Sequence, residues 1–174
     1  IGSRQRSQIA SAAADRSAAG IIDAVSPVAD GEAISVALIM LKQRTTLTSE
    51  VVRWAAQFAN HPDLQVRWNL ARLLRDPEPE SRSALTGVLS RLLADRELQV
   101  RRSAARSAAS VPGTMPVSEL DRALSRLDGR GREWIVAALD PTDVSARQVI
   151  ERLAVEDPDR RVARTARKRL RKRS

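Results

Sequence analysis

Cysteine and histidine, two residue types that are common in catalytic and metal centres, are almost absent from this sequence. There is no cysteine, and His61 is the only histidine, so thiolate and multi-histidine metal sites and a cysteine nucleophile are excluded. A Ser-His-Asp triad would have to use His61, which we interpret as a turn residue beside a helix cap. The GRG segment at 129–131 joins two predicted helices, and no phosphate-binding GxxxxGK[ST] or strand-preceded GxGxxG is present. The residues therefore predict a protein with no catalytic centre, no metal and no cofactor.

Arginine is abundant in this sequence, and its guanidinium can bind phosphates and carboxylates. The chain has 30 Lys and Arg residues against 21 acids, a formal charge of +9. Residues 160–174 hold nine of the basic residues and no acid, so residues 1–159 are neutral with 21 of each sign. The charge excess is therefore a local feature of the C-terminal end.

Proline and glycine divide the sequence into helix-length segments. All eight prolines fall between stretches of helical apolar period, and strand signals are weak, with no tyrosine and one phenylalanine. The longest apolar stretch, 33–41, is far shorter than the roughly 20 residues that cross a bilayer, so we expect a cytoplasmic protein with no membrane segment. Ten helices are predicted, over residues 5–25, 31–43, 49–60, 63–75, 80–94, 97–110, 117–128, 131–139, 143–156 and 159–172.

The predicted helices form pairs, and the second helices repeat a pattern. Segments 61–74, 95–108 and 157–170 align with Val66, Val100 and Val162 in register. An acid stands three residues before each valine, where it can cap the helix: Asp63, Glu97 or Asp159. Apolar residues follow at the fourth position, Leu70, Ala104 or Ala166, and at the eighth, Leu74, Ala108 or Leu170. The segment between the last two copies, containing VSELDRALSRL and GREWIVAAL, follows the pattern less regularly.

These residues resemble the second helix of the HEAT repeat, roughly DxxVRxxAxxxL. The first two copies keep the arginine after the valine, as Arg67 and Arg101, and the last copy has Ala163 there. The resemblance implies an all-α fold, a right-handed α-solenoid of about five antiparallel helix pairs whose second helices line a concave face. It predicts a single domain over residues 1–174, with units near 5–43, 48–76, 80–110, 117–140 and 143–172 and a basic end at 160–174.

The arginines fall into two groups by their position on these helices. Arg67 and Arg101 lie at the edge of the apolar arc, which favours a structural role beside acids such as Asp63, Asp95 or Glu97. The residues two, six and nine places after each valine lie on the opposite face. They form a predicted basic stripe for a protein partner or nucleic acid: Trp68, Arg72, Arg75, Arg102, Arg106, Arg164, Lys168 and Arg171. A solvated helix face is the alternative, and GREWIVAAL interrupts the stripe.

Two function classes fit this pattern. The first is a non-catalytic scaffold that binds a protein or acidic peptide on the concave face, with modest salt dependence. The second is a DNA- or RNA-binding module that uses the stripe and the basic end, with affinity that falls steeply as salt rises. Neither class fixes the oligomeric state.

An enzyme is the weaker hypothesis. HEAT-like folds include the alkylpurine DNA glycosylases, which use Trp, Arg and Asp on a basic concave face. In this sequence the aromatic residue would be Trp54, Trp68 or Trp134, and the carboxylate would be that of Asp140 or Asp143. Trp54 and Trp134 sit in apolar stretches typical of a core, and no local motif exists beyond the repeat. An anionic membrane surface is a poor partner for the basic end, because its small apolar residues are needed for packing.

Overall fold

The fold is built from helices joined by short turns. The computed structural model describes residues 18–25, 30–44 and 47–171. This part of the chain has no strand, only an isolated bridge between Leu47 and Pro77, so the all-helical prediction is confirmed. None of its helices is long and apolar enough to span a bilayer. The helices are α1 (Ala18–Ala24), α2 (Gly31–Arg44), α3 (Ser49–Ala56), α4 (Leu64–Leu73), α5 (Arg82–Leu93), α6 (Leu98–Ala109), α7 (Val117–Leu124), α8 (Gly129–Ala138), α9 (Val144–Glu156) and α10 (Arg160–Arg171), with a 3₁₀ turn at Pro79–Ser81.

Most observed helix ends lie within a few residues of the predicted ones. Of the first predicted helix, 5–25, the segment 5–17 lies outside the described residues, and α1 is the part that is seen. Helix α7 ends at Leu124, although the pattern predicted 117–128. The backbone N–H groups of Arg126 and Leu127 bond to carbonyls three residues back, so the chain leaves the α-helical pattern there.

The chain divides into two compact units, residues 1–88 and 89–174, with the boundary inside α5. In the first unit α2 packs against α4, and α1 contacts α2 and α3. The amphipathic pattern explains this packing, because each helix turns its apolar side inward. Fully buried large side chains of this unit include Ile21, Ile34, Leu38, Leu41, Leu70, Leu74 and Leu85.

The second unit arranges its helices in two layers. Helix α8 packs between α6 and α10, and these three helices form one layer. Helix α7 contacts α8 and α9, and α9 packs on α10, so α7 and α9 form the other layer. Buried apolar residues from both layers fill the space between them, among them Leu120, Ile135, Val136, Ile150 and Val162.

Helices α2, α4, α6, α8 and α10 share one register, and we call them the second helices. Each begins after an acid, and three residues after that acid comes a buried residue, here called the reference residue. The reference residues are Ala33, Val66, Val100, Gly131 and Val162. The fourth residues onward, Ala37, Leu70, Ala104, Ile135 and Ala166, are all fully buried. The pattern therefore extends to α2 and α8, beyond the three copies that the valines identify.

The α8 copy is missed in the sequence alignment because Gly131 stands where α4, α6 and α10 have valine. A Cβ at this glycine would lie 2.5 Å from Cδ2 of Leu127, whose buried side chain occupies the space that valine fills in α4, α6 and α10. Asp128 then corresponds to Asp63, and its carboxylate accepts a hydrogen bond from the Gly131 N–H (3.1 Å). The matching residues Asp128, Ile135 and Leu139 were the signal that could have located this copy.

Candidate functional site

The arginine that follows the reference residue holds the turn before its own helix. In α4, Arg67 Nη1 donates to the carbonyls of His61 (2.7 Å) and Pro62 (2.9 Å). In α6, Arg101 Nη1 donates to the carbonyls of Asp95 (2.7 Å) and Arg96 (2.8 Å). These bonds all go to main-chain carbonyls, and they give both arginines the expected structural role.

Arg132 makes the same contact in α8 and adds an ion pair to the turn before α10. Its Nη1 donates to the Leu127 carbonyl (2.9 Å), while Nε and Nη2 donate to the carboxylate of Asp157 (2.8 and 3.0 Å). The side chains are only 19% and 2% exposed. The hydrogen bond to Asp157 raises the pKa of Arg132 and outweighs the opposing effect of burial. The pair therefore joins neighbouring copies of the repeat.

Arg102 of the predicted basic stripe lies at the contact between α6 and α8. Its Nε donates to Asp128 Oδ1 (2.9 Å), and its Nη2 donates to Oδ2 of the same carboxylate. The bond from Arg102 lowers the pKa of Asp128 and raises that of the guanidinium. Asp128 is also the N-cap of α8, so one carboxylate caps α8 and binds an arginine of α6.

Arg106 and Trp134 make a second contact between the same two helices. The guanidinium carbon of Arg106 lies 5.2 Å from the centre of the Trp134 ring, within the range of a cation–π interaction. Trp134 is half-buried, and so is Trp54, whose ring packs edge-on against Phe58 at 5.0 Å. The expected core position of both tryptophans is therefore only partly met, because both residues remain partly exposed.

The stripe residues of α4 lie in the first unit. Arg72 stacks on Trp68 one turn away, with 4.5 Å between the guanidinium carbon and the ring centre. Both side chains and that of Arg75 are half-buried. The structure thus brings Trp68 and Arg72 together as a stacked pair.

Helix α8 places uncharged or acidic residues at the stripe positions. Two residues after Gly131 stands Glu133, whose Oε1 accepts a hydrogen bond from Thr165 Oγ1 of α10 (2.9 Å). Six residues after Gly131 stands Ala137, which is half-buried. The predicted interruption of the stripe is present in α8, and Glu133 replaces the cation with a contact to the next helix.

Helix α10 carries the remaining stripe residues on its surface. Arg164, Lys168 and Arg171 are exposed and form no ion pair with another described residue. Two other cations of α10 bond to main-chain carbonyls: Arg167 to Ala154 (3.0 Å), and Arg169 to Ala137 (3.1 Å) and Leu139 (2.6 Å). The basic end thus combines cations that fix α10 to its neighbours with cations that face solvent.

The two aspartates of the glycosylase hypothesis accept hydrogen bonds from nearby backbone N–H groups. Asp140 Oδ1 accepts from the Thr142 N–H (2.9 Å), and Asp143 Oδ1 accepts from the Ala146 N–H (2.8 Å) at the start of α9. Both line a cavity of about 520 Å³ whose apolar wall includes Met115 and Leu139.

His61 has the predicted turn role. Its Nδ1 accepts a hydrogen bond from the backbone N–H of Asp63 (3.1 Å), and Asp63 in turn caps α4. Within the described ranges no group of three or more His, Cys, Asp and Glu side chains could hold a metal ion. Arg102, Asp128 and Arg132, whose pKa values are shifted, belong to ion pairs between helices or turns.

Comparisons of the chain with protein-family models, curated proteins and solved structures found no match.

Proposed function

We propose that this chain is a non-catalytic, HEAT-like helical-repeat module that binds an acidic segment of a protein partner. The shared register of the second helices supports the repeat, as does the row of α6, α8 and α10 in the second unit. In a stack of this kind each helix pair buries its apolar side against its neighbours, and binding is left to the exposed positions. The right-handed solenoid of about five helix pairs is part of the same proposal.

The distribution of paired and exposed charge carries the proposal. Arg102 and Arg132 are paired with carboxylates, and Arg101 with carbonyls, so these arginines stabilise the stack. On α10, by contrast, the exposed cations face solvent, at the end of the chain that holds the whole charge excess. A cationic surface attracts acidic partners and raises their rate of association. Acidic side chains of a partner therefore fit the surface that the fold leaves exposed.

The test is direct binding of a labelled oligo-glutamate peptide to the intact protein, followed by fluorescence anisotropy at about 50 and 200 mM salt. We expect saturable binding that weakens by no more than about tenfold between the two concentrations, because only a few charges are involved. An oligo-lysine peptide of equal length is the control and should not bind. Absence of oligo-glutamate binding at the lower salt concentration would refute the proposed function.

Nucleic acid is a second candidate partner, favoured by the preponderance of arginine among the exposed cations of α10. The planar guanidinium matches phosphate geometry in two-point contacts. A labelled duplex in the same assay tests it: affinity that exceeds that of the peptide and falls at least about a thousandfold over the same salt range would favour this candidate. Truncation before α10 is unsuitable, since α10 buries Val162, Ala163 and Ala166 against its neighbours. Surface substitutions on α10 are the better variants.

A further inference from the structure

In the second unit, the stripe positions of one second helix contact the following second helix. The residues two and six places after the reference residue of α6, Arg102 and Arg106, contact Asp128 and Trp134. At the first of these positions in α8, Glu133 contacts Thr165 of α10. These positions therefore mark the side of each second helix on which the next helix packs, rather than a face that is open along the whole row.

The helices of this row run in the same direction. At the N-terminal ends of α8 and α10, Gly129 is so close to the carboxylate of Asp159 that a Cβ on Gly129 would collide with it. At the other end, Arg169 of α10 bonds to the carbonyls of Ala137 and Leu139, which close α8. Contacts at both ends fix α10 beside α8, and the opposite side of α10 is the side on which a further helix would pack.

That side of α10 carries three exposed cations, Arg164, Lys168 and Arg171, which we call the outer row. Arg164 and Lys168 are the counterparts of Arg102 and Arg106. Ala163 replaces the arginine that bonds to turn carbonyls in α4, α6 and α8, and it is 6% exposed. The outer row is thus a charged strip of about 10 Å along the helix axis.

We propose that the outer row binds an acidic helix of a partner protein, which packs on α10 as α8 packs on α6. This inference rests on the proposed function and specifies its surface and its ligand. Arg102 sets the pattern, because its guanidinium holds the N-cap carboxylate of α8 through two bonds. Arg164, in the equivalent place, would bind an Asp at the N-cap of the incoming helix. Glutamates on the first turns of that helix would face Lys168 and Arg171, where their charge also favours the helix dipole.

The small extent of the outer row favours a protein helix over a nucleic acid duplex. A specific duplex interface is broad, with roughly 1,000 Å² or more of buried protein surface. The outer row offers three exposed cations along about 10 Å of one helix axis, which matches the first turns of a single partner helix.

The test uses the intact protein and two alanine-based peptides of about 15 residues, long enough to form helix when bound. The first has Asp at its N-cap and glutamates spaced so that they share one face, and the second is a shuffled isomer in which the acids are spread around the helix. The outer-row variant carries Arg164→Gln, Lys168→Gln and Arg171→Gln. The control variant carries Arg82→Gln, Arg91→Gln and Arg122→Gln, which remove the same charge from other exposed arginines.

We expect the first peptide to bind the wild type at least about tenfold more tightly than the shuffled isomer, and to gain helicity by circular dichroism. The outer-row variant should lose at least about tenfold in affinity, while the control variant should stay within about twofold of the wild type. We expect both variants to fold, because the substituted side chains are exposed. Far-ultraviolet circular dichroism of each variant checks this.

Each other result overturns the inference in a recognisable way. Equal binding of the two peptides would rule out a docked helix, and equal loss in both variants would make the attraction a property of net charge alone. If acidic peptides bind but the outer-row variant keeps full affinity, the proposed function stands and this surface is wrong. If a duplex binds more tightly than either peptide and loses affinity in the outer-row variant, nucleic acid is the ligand. If no acidic peptide binds the wild type, the proposed function itself fails.

Discussion

Arg132 shows how much a single side chain contributes to holding adjacent repeats together. Its guanidinium bonds both to the Leu127 carbonyl, in the turn before α8, and to the Asp157 carboxylate, in the turn before α10. A guanidinium with five donors can serve both acceptors at once, which a lysine ammonium of similar reach does less well. The Asp157 side chain is only 2% exposed, and its carboxylate accepts hydrogen bonds from this partner and from the Asp159 N–H (2.8 Å).

Arg132→Met should therefore destabilise the protein by about 3 kcal/mol, since it leaves the buried Asp157 carboxylate without its counter-charge. The matched control is Arg147→Met, which breaks a pair with Glu151 whose side chains are 44% and 50% exposed. That change should cost no more than about 0.5 kcal/mol, because water screens and replaces an exposed pair. The free energy of unfolding, from urea titration followed by circular dichroism, measures both. Equal costs would mean that the Arg132–Asp157 pair is solvated in solution.

At the level of helices, close approach of successive N-terminal ends is the feature that recurs. Gly31 follows the cap residue Asp30 in α2, and Gly129 follows Asp128 in α8. A Cβ on either glycine would meet the cap aspartate of the next second helix, Asp63 or Asp159. The glycines are thus explained by space, since the following helix begins where their side chain would lie.

Gly129→Ala should lower the free energy of unfolding by about 1 kcal/mol, the typical worth of a helix cap. The new methyl group would lie 2.7 Å from Cγ of Asp159, so that side chain must leave its bond to the Arg161 N–H (2.9 Å). Gly87→Ala is the control, because Gly87 lies within α5 and a Cβ there meets nothing within 4 Å. It should instead stabilise the protein by about 0.5–1 kcal/mol through the lower backbone entropy of alanine. Stabilisation by both substitutions in urea titration would contradict the proposed contact between α8 and the turn before α10.

Helix periodicity predicted the elements well, and it predicted the surroundings of the stripe poorly. Proline positions and apolar spacing located the ten helices, and Asp63 and Asp159 cap theirs as expected. Glu97 occupies the N-cap position of α6 without a side-chain bond there, and Asp95 bonds to its N–H instead. Periodicity identifies positions outside the core, but it does not distinguish a position that faces solvent from one that faces a neighbouring helix. Arg102 and Asp128 therefore could not be recognised as a pair.

The same limit applies to the α8 copy of the repeat. The alignment relied on a valine at the reference position, and Leu127, from the preceding turn, fills that volume above Gly131. Leu127 does not stand at the valine position of the repeat, so an alignment of that position cannot detect that it fills the same space. The cap acid and the apolar residues at the fourth and eighth positions remained in the sequence, and they are the stronger markers for this chain.

For the whole molecule, the location of the charge matters more than its sum. Residues 1–159 carry 21 basic and 21 acidic residues, so the field around that part has no net sign, whereas 160–174 carries nine cations and no acid. Exposed charges act over roughly 8–10 Å at moderate salt, so a partner or a charged surface responds to the local cluster. Two variants of equal net charge can therefore differ in how they interact with an anionic surface.

The outer-row variant and the control variant provide this comparison, because each lowers the formal charge of +9 by three. On a sulfonate cation exchanger we expect the outer-row variant to elute at clearly lower salt than the control variant, and the control variant to elute close to the wild type. The physical reason is that the protein adsorbs through its most concentrated cations, and only the outer-row variant removes charge from them. Thermal unfolding should leave both variants within about 2 °C of the wild type, since substitutions of exposed side chains change stability by about 0.5 kcal/mol or less. Elution of the two variants at the same salt concentration would mean that the cations of α10 do not act as a separate binding surface.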